Sequence, residues 1–356
     1  MQRGSVGGFV ALAVSVSLMS CGSPQKPAAE AAAAGADPNA PKLPEKSTEP
    51  HHKAGDNPFV GAKWWVDPYG QAHVRAIKLK KTDPEAGALM EKIAERGGAD
   101  WVGQWTPFVG NWMFKRVNLL QKNGDLPFFV AYNIPNRDCG QYSAGGANKA
   151  DDYKQWISDF ARGIGDRKAA VVLEPDALPL LKKEGCLSEA AQKERIELVK
   201  FAVHTLESWA NTWVYMDAGH PGWVPVDEMA ARLKAAGIDE ADGFSLNVSN
   251  YKSTDECMAY GKKLSAALGG KHFVIDTSRN GNGGPKNAKL DSEEAWCNPD
   301  GMALGSPPTA DTKEPLCDGF LWIKKPGESD GQCNGGPKAG EFWQERAIDL
   351  AKRAKW

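Results

Sequence analysis

The chain has 356 residues, with 43 Lys and Arg against 45 Asp and Glu and a formal net charge of −2. The near-even balance, a sequence pI of about 6.3 and the lack of a basic stripe exclude nucleic acid as an expected partner. Past the N-terminal region about 300 residues remain, enough for one large domain.

Residues 1–20 carry one basic residue, Arg3, and then an apolar stretch from Phe9 to Met19. The pattern is that of a signal peptide, too short to serve as a stable membrane span. Leu18-Met19-Ser20-Cys21 is similar to a bacterial lipobox, which would make Cys21 a lipidated residue and a membrane surface a partner. An ordinary secretory signal with an incidental Cys is the alternative. Residues 21–55 are rich in Ala, Pro, Glu and Lys and hold no aromatic residue, so they read as a flexible tether. His51 and His52 fall in it and are expected in solvent. Residues 56–356 are expected to form one domain, and a monomer is the default.

From there apolar runs alternate with amphipathic stretches. Strands are expected near Phe59–Trp64, Trp101–Trp105, Phe128–Tyr132, Ala170–Leu173, Trp213–Met216, Phe244–Val248, Phe273–Ile275 and Phe320–Ile323. Helices are expected over Pro84–Arg96, Asn111–Lys122, Asp151–Ile164, Ser188–Trp209, Val226–Ala236, Thr254–Leu268 and Gly340–Lys355. Ser188 with Glu189 and Gln192 reads as a helix start. Seven or eight strand–helix units imply a parallel sheet with helices outside, and suit a TIM-like barrel better than an open sheet. No G-x-G-x-x-G occurs, which argues against dinucleotide binding. Asn280–Pro315, rich in Gly, Pro and Asn, is too long for a passive connection and is expected near the functional site.

Five of the apolar runs end in charged residues: Phe128–Asp138, Val171–Asp176, Val214–His220, Phe273–Arg279 and Phe320–Asp330. Charges placed just past strand ends are costly for stability, and their usual reason is chemistry at the C-terminal mouth of an α/β barrel. The candidate acids are Asp138, Asp176, Asp217, Asp276, Glu328 and Asp330. A single Asp after a strand also suits a helix N-cap, but five charged ends in one chain make that reading poor for the set. Among 13 Trp, Trp64, Trp65, Trp105, Trp223 and Trp296 cluster near expected strand ends, as flat apolar platforms would. Apart from Cys21 there are six Cys, at 139, 186, 257, 297, 317 and 333; an even count in an exported chain favours disulfides, with fifteen connectivities open. No C-x-x-C or H-E-x-x-H occurs, so no metal site is expected.

Val130-Ala131-Tyr132-Asn133-Ile134-Pro135-Asn136-Arg137-Asp138-Cys139-Gly140 resembles the first signature of glycoside hydrolase family 6, and Val171 to Pro179 (VVLEPDALP) resembles the second. Asp217 to Trp223 (DAGHPGW), Trp296-Cys297-Asn298, Trp322-Ile323-Lys324 and Gly327 to Gly331 (GESDG) are similar to further family segments, and the likeness runs from about Asn57 to the C-terminus. The resemblance implies a distorted, partly open α/β barrel and inverting hydrolysis of β-1,4-glucosidic bonds in a glucan polysaccharide, without a cofactor. It implies Asp176 as general acid, Asp138 as the neighbour that raises that acid's pKa and helps organise the water, and Asp330 as the disputed general base, acting through waters. It implies Tyr132 as the residue crowding the cleaved sugar and Ser143 as a holder of the nucleophilic water, although the loop Gly140–Gly146 (GQYSAGG) departs from the usual run of small residues. Lys324, Glu328 and His220, with Arg137, Asp217 and Asn247, are implied around the sugars, and Trp64 or Trp65, Trp296 and Trp223 as stacking platforms. Val226 stands where cellobiohydrolases of the family often carry another Trp. The family's disulfides correspond to Cys139–Cys186 and Cys297–Cys333, and a third bridge between Cys257 and Cys317 is left open.

The loops carrying Asp138 and Asp330 look short for a tunnel roof, so an open cleft and endo action are expected, with no carbohydrate-binding module recognised. The rivals are an exo-acting cellobiohydrolase, a surface glucan-binding lipoprotein that has lost catalysis, and a calcium loop at Glu328-Ser329-Asp330. The second is disfavoured because all three aspartates are present, and the third because the regular oxygen ligands of an EF-hand are lacking.

Overall fold

Seven short apolar segments build the centre of the molecule. In the computed structural model, which describes residues 45, 51–53, 55–285 and 296–356, they are β1 (Asp100–Val102), β2 (Phe128–Ala131), β3 (Ala169–Leu173), β4 (Thr212–Asp217), β5 (Gly243–Leu246), β6 (His272–Asp276) and β7 (Cys317–Leu321). They pair in chain order, every ladder parallel. No ladder joins β7 to β1. The two edges instead meet through Ala99 N–H donating to Trp322 O (3.1 Å) and Trp101 Nε1 donating to Ile323 O (2.8 Å). The sheet is therefore a curled, incompletely closed barrel, as expected. Residues 1–20, Cys21 and nearly all of the expected tether lie outside the described residues. The described residues contain no helix long and apolar enough to cross a membrane.

Burial on both faces explains the unbroken apolar runs. Phe129, Ala131, Val171, Leu173, Val214 and Met216 point outward into a cluster shared with the helices. Their alternates Phe128, Val130, Ala170, Val172, Trp213 and Tyr215 fill the barrel interior. Continuing that alternation past β2 turns Tyr132 inward at the mouth.

The helices are α1 (Gln71–Thr82), α2 (Pro84–Ala94), α3 (Val109–Lys122), α4 (Ala150–Ile164), α5 (Glu189–Glu207), α6 (Val226–Ala235), α7 (Thr254–Ala267) and α8 (Gln344–Lys352). Their starts follow local chemistry. Asp83 accepts from Ala86 N and Pro84 opens α2, Ser188 caps α5 through Ala191 N, and Ser253 with Glu256 forms a capping box on α7. Sequence reading missed α1, which buries only Ala76 and starts at Gly70 with no side-chain cap, so neither periodicity nor a cap marks it. The expected strand at Phe59–Trp64 is instead a turn, closed by Ala62 N–H to Phe59 O (3.0 Å), with Gly61 at φ 68°. Phe59 itself is buried in the barrel interior.

Candidate active site

All five charged runs place their ionisable groups at the C-terminal ends of the strands. Glu174, directly after β3, is buried and ties this rim to the β2 end: its carboxylate accepts Asn133 N–H (2.9 and 3.0 Å) and Ile134 N–H (3.0 Å). Burial pushes its carboxyl up to about 7 despite those bonds. Pro175 then turns the chain, and Asp176 adopts φ 69°, a left-handed conformation that non-glycine residues rarely take.

Asp176 is partly exposed to the mouth. Its backbone N–H donates to Asp217 Oδ2 (3.0 Å), and Tyr132 Oη donates to its Oδ2 at 3.4 Å. Desolvation, then the charge of Asp217, then that of Asp138, hold the Asp176 carboxyl well above the usual carboxylate range. Asp217, on β4, is buried and accepts from Gly219 N (3.2 Å) and Ser245 Oγ (3.4 Å). Burial pushes it up to about 7. Tyr132 is driven well above its ordinary value by burial and by the Asp176 charge, so it stays a donor. Burial and two neighbouring carboxylates thus favour the protonated form of Asp176, against the Tyr132 hydrogen bond.

Asp138 opens the next loop. Its Oδ2 accepts Ser143 N–H (2.8 Å) and its Oδ1 accepts Gln141 Nε2–H (3.1 Å). Burial raises its pKa, and those bonds temper the rise. Ser143 therefore reaches Asp138 through its backbone. The loop is stapled by Cys139–Cys186 and the opposite wall by Cys297–Cys333, as the resemblance implied. Cys257 and Cys317 are both buried and free.

Asp330 sits in a closed set of partners. Arg279 Nη1 pairs with its Oδ1 (2.8 Å), and Tyr251 Oη (2.8 Å) and Asn298 N–H (3.0 Å) donate to its Oδ2. Asn298 belongs to the Gly- and Pro-rich stretch expected near the site. That stretch also brings Trp296 against Tyr142 (centroids 6.2 Å). Tyr142 lies against Gly331, so the Asp138 and Asp330 loops meet across the mouth.

The structure reassigns several candidates. Arg137 is buried and donates to the carbonyls of Ser143, Tyr132 and Ala144 (2.8, 2.8 and 3.3 Å), so it shapes the Asp138 loop and has no arm left for a sugar. Asn247 donates to Asp276 O (2.9 Å) and Lys252 O (3.2 Å) and accepts Lys252 N–H (3.0 Å); it too is an internal brace. Asp217 is buried and accepts Asp176 N–H, so it supports the Asp176 turn from inside. Asp276 accepts the N–H groups of Ser249, Lys324 and Ser278 and is buried, so it ties three loops together.

Trp64 and Trp65 are not brought to the mouth. Trp64 stacks on Phe59 (5.7 Å) and meets Phe128, the first residue of β2 (6.1 Å), at the opposite end of the strand. Trp65 lies under Arg116 (5.2 Å). Trp101 on β1, which reads in sequence as a core strand residue, is instead the indole placed beside Tyr132. Its ring meets Tyr132 edge-on (5.1 Å), and Lys324 Nζ lies 5.7 Å from its centroid. Lys324 also pairs with Glu328 (3.6 Å). On the other side of Asp176, His220 and Trp223 form a tilted pair (5.2 Å). Burial lowers His220 to about 4, so it is neutral near pH 7.

The profile described as "Glycosyl hydrolases family 6" matches residues 59–354. "Endoglucanase A" of Cellulomonas fimi is 42% identical over 299 residues, 82% of this chain, and "Endoglucanase A" of Thermobispora bispora is 41% identical over 313 residues, 86% of this chain. The chain spans 62% and 64% of the lengths of these two relatives. Among solved structures, the endoglucanase Cel6 of Mycobacterium tuberculosis, in complex with methyl-cellobiosyl-4-deoxy-4-thio-β-D-cellobioside, superposes with a TM-score of 0.78 at 42% identity. That match covers 83% of this chain and 99% of the other. A match of this extent to the family profile, on a barrel whose mouth gathers Asp138, Asp176 and Asp330, shows that the chain belongs to glycosyl hydrolases family 6.

Proposed function

We propose that the chain hydrolyses internal β-1,4-glucosidic bonds of cellulose or a related β-glucan with inversion at the anomeric carbon. The observation that carries this reading is the setting of Asp176. Desolvation, Asp217 and Asp138 keep its proton in place, while its partial exposure lets it reach a glycosidic oxygen. Asp176 protonates the leaving oxygen as the bond breaks, and a water attacks the opposite face of the sugar. Asp138, with Ser143 held to it, orients that water and takes its proton through the mouth's solvent. Asp330 is a weaker candidate for first proton acceptor, because both its oxygens are already bonded, one to a guanidinium; its first work is to join the two walls. Trp101 and Tyr132 on one side and His220 with Trp223 on the other would line sugar subsites, with Trp296 and the Lys324–Glu328 pair at the rim.

Endo action is supported by the short Asp138 loop and by the names of the relatives. Export is supported by two disulfides, which belong to an oxidising compartment. Residues 1–20 as signal and Cys21 as lipid site complete the proposal, with the domain acting as a monomer on its polysaccharide.

The test follows viscosity and reducing ends together during digestion of carboxymethylcellulose, with Asp176→Asn alongside. A fast viscosity fall per bond cut, reduced about 10²–10⁴-fold in the variant, is expected. A cellobioside with a strongly acidic phenol as leaving group needs no protonation and should lose far less. Reducing ends without a viscosity fall would mean exo action. Glucan binding without hydrolysis would leave a binding lipoprotein.

A further inference from the structure

Far from the mouth, three metal-ligating side chains converge at the N-terminal ends of β4 and β5. They are His52, Glu207, the last residue of α5, and Asp242, directly before β5. One donor atom from each lies within 4.8 Å of the others. His52 was expected in solvent, yet only 7% of its side chain is exposed, against 9% for Asp242. Its ring stacks on Trp213 (4.0 Å between centroids), and its backbone N–H donates to Ala210 O (2.9 Å).

The hydrogen bonds orient the ring. His52 Nδ1 faces Ala210 O at 3.3 Å and Nε2–H donates to Asp242 Oδ1, 2.7 Å away, so with Nδ1–H kept on the carbonyl it is Nε2 that an entering cation would meet. A backbone carbonyl on the outer nitrogen is the usual support of a metal-bound imidazole. Asp242 is fixed from behind by Val214 N–H on Oδ2 (2.8 Å), which leaves Oδ1 as its donor. Glu207 Oε1 is buried and has no hydrogen-bond partner. Glu207 also ends a helix, where the dipole is negative and a carboxylate is unfavourable. Two carboxylates and one imidazole converge beside a helix C-terminus, a donor set that suits a cation. Lys271 lies nearby but gives its ammonium to the carbonyls of Asp239 (3.0 Å) and Ala241 (2.6 Å).

We propose that His52 Nε2, Asp242 Oδ1 and Glu207 Oε1 bind one divalent transition-metal ion, of which Zn²⁺ is the probe of choice. The set of one imidazole and two carboxylates suits Zn²⁺ and its neighbours, and the imidazole disfavours Ca²⁺ and Mg²⁺. Bonds of about 2.0–2.2 Å place tetrahedral ligands about 3.3 Å apart. His52 and Asp242 therefore open slightly and the Glu207 side chain closes by at most about 1.5 Å, a rotamer adjustment for a residue at a helix end. The ion ties the segment at His52, which precedes the barrel, to α5 and β5, so its effect falls on stability and leaves the chemistry alone.

The test is calorimetric titration of Zn²⁺ into the untagged, chelator-stripped full chain, with thermal unfolding in parallel. One site per chain is expected, with a rise in Tm of about 5 °C at 100 times Kd. His52→Ala should weaken the site about 100-fold or more and abolish the Tm rise, with hydrolysis of carboxymethylcellulose unchanged. Glu207→Gln, which keeps the His52–Trp213 stack and the local packing, should weaken it likewise, whereas His51→Ala should not. An absence of stoichiometric uptake would overturn the proposal, leaving a hydrogen-bonded trio. Uptake that survives both His52→Ala and Glu207→Gln would overturn it equally, by placing the ion elsewhere.

Discussion

Asp217→Asn isolates the group that holds the proton on Asp176. The amide oxygen can still accept Asp176 N–H, so the backbone of the acid stays in place while the buried charge goes. Asp176 N lies 3.0 Å from Asp217 Oδ2, which puts the two carboxyl groups about 5–6 Å apart. At an effective dielectric constant of about 20 that repulsion is about 3 kcal/mol, or about 2 pH units on Asp176. Asp217 titrates near 7 itself and is fully charged only above that pH, so a shift of about 1–2 units is expected. In the proposed mechanism the general acid works protonated. A lower Asp176 pKa therefore moves the alkaline limb of the kcat/KM profile to more acidic pH, read on a soluble cello-oligosaccharide. The same change has a second signature. Asp217 holds its proton more tightly folded than unfolded, so its contribution to stability is present below about pH 4 and lost as pH rises through about 7. Asn does not titrate, so the variant gains on the parent between those limits by at most about 4 kcal/mol. An alkaline limb that stays in place would refute the assignment of Asp217 as the proton-holding neighbour.

Trp101→Ala is expected to raise KM or lower kcat on short oligosaccharides about 10–100-fold, since it removes a face worth about 1–3 kcal/mol; Trp64→Ala should leave KM alone and lower Tm. Replacing Cys139 and Cys186 by Ala opens a loop of 47 residues, and the chain-entropy relation gives a loss of about 4 kcal/mol, measurable by urea unfolding. Arg279→Met strands the Asp330 charge in a buried setting and should destabilise the chain by about 3–5 kcal/mol, with activity lost in step with folding; full stability with lost activity would instead point to direct chemistry at Arg279.

The sequence carried the barrel because its strands are buried on both faces, which forces unbroken apolar runs such as Phe128–Ala131 and Val171–Leu173. It carried the carboxylates because charge after such a run is anomalous. It did not carry the direction in which a ring or an amide points. Trp64 and Trp101 both adjoin apolar segments, and only the turn at Phe59–Ala62 decides that the first lies beneath the sheet. Arg137 and Asn247 look like ligand-binding residues from their type and place, yet their partners are backbone carbonyls several residues away in the fold. His52 was assigned to solvent from its polar surroundings in sequence, whereas Trp213, Ala210 and Asp242 enclose it from distant segments.

The strained backbone of the mouth has the same origin as its chemistry. Asn136, Asp138, Cys139, Glu174, Asp176, Asn247, Ser249 and Asn298 all adopt positive φ between 46° and 69°, and each left-handed non-glycine residue costs on the order of 1 kcal/mol. A relaxed loop would let those carboxylates turn out to water, where each would ionise near its ordinary value and Asp176 would lose its proton at neutral pH. Glu174 prevents that at β2 and β3 through two backbone N–H groups, Asp276 at β5, β6 and β7, and the two disulfides on the loops above. Buried acids bonded to backbone N–H groups are in this sense what keeps the proposed catalytic ones in place. The strand-end charge that marks the site in the sequence is therefore of two kinds, one proposed for the reaction and one that holds an unfavourable backbone in shape.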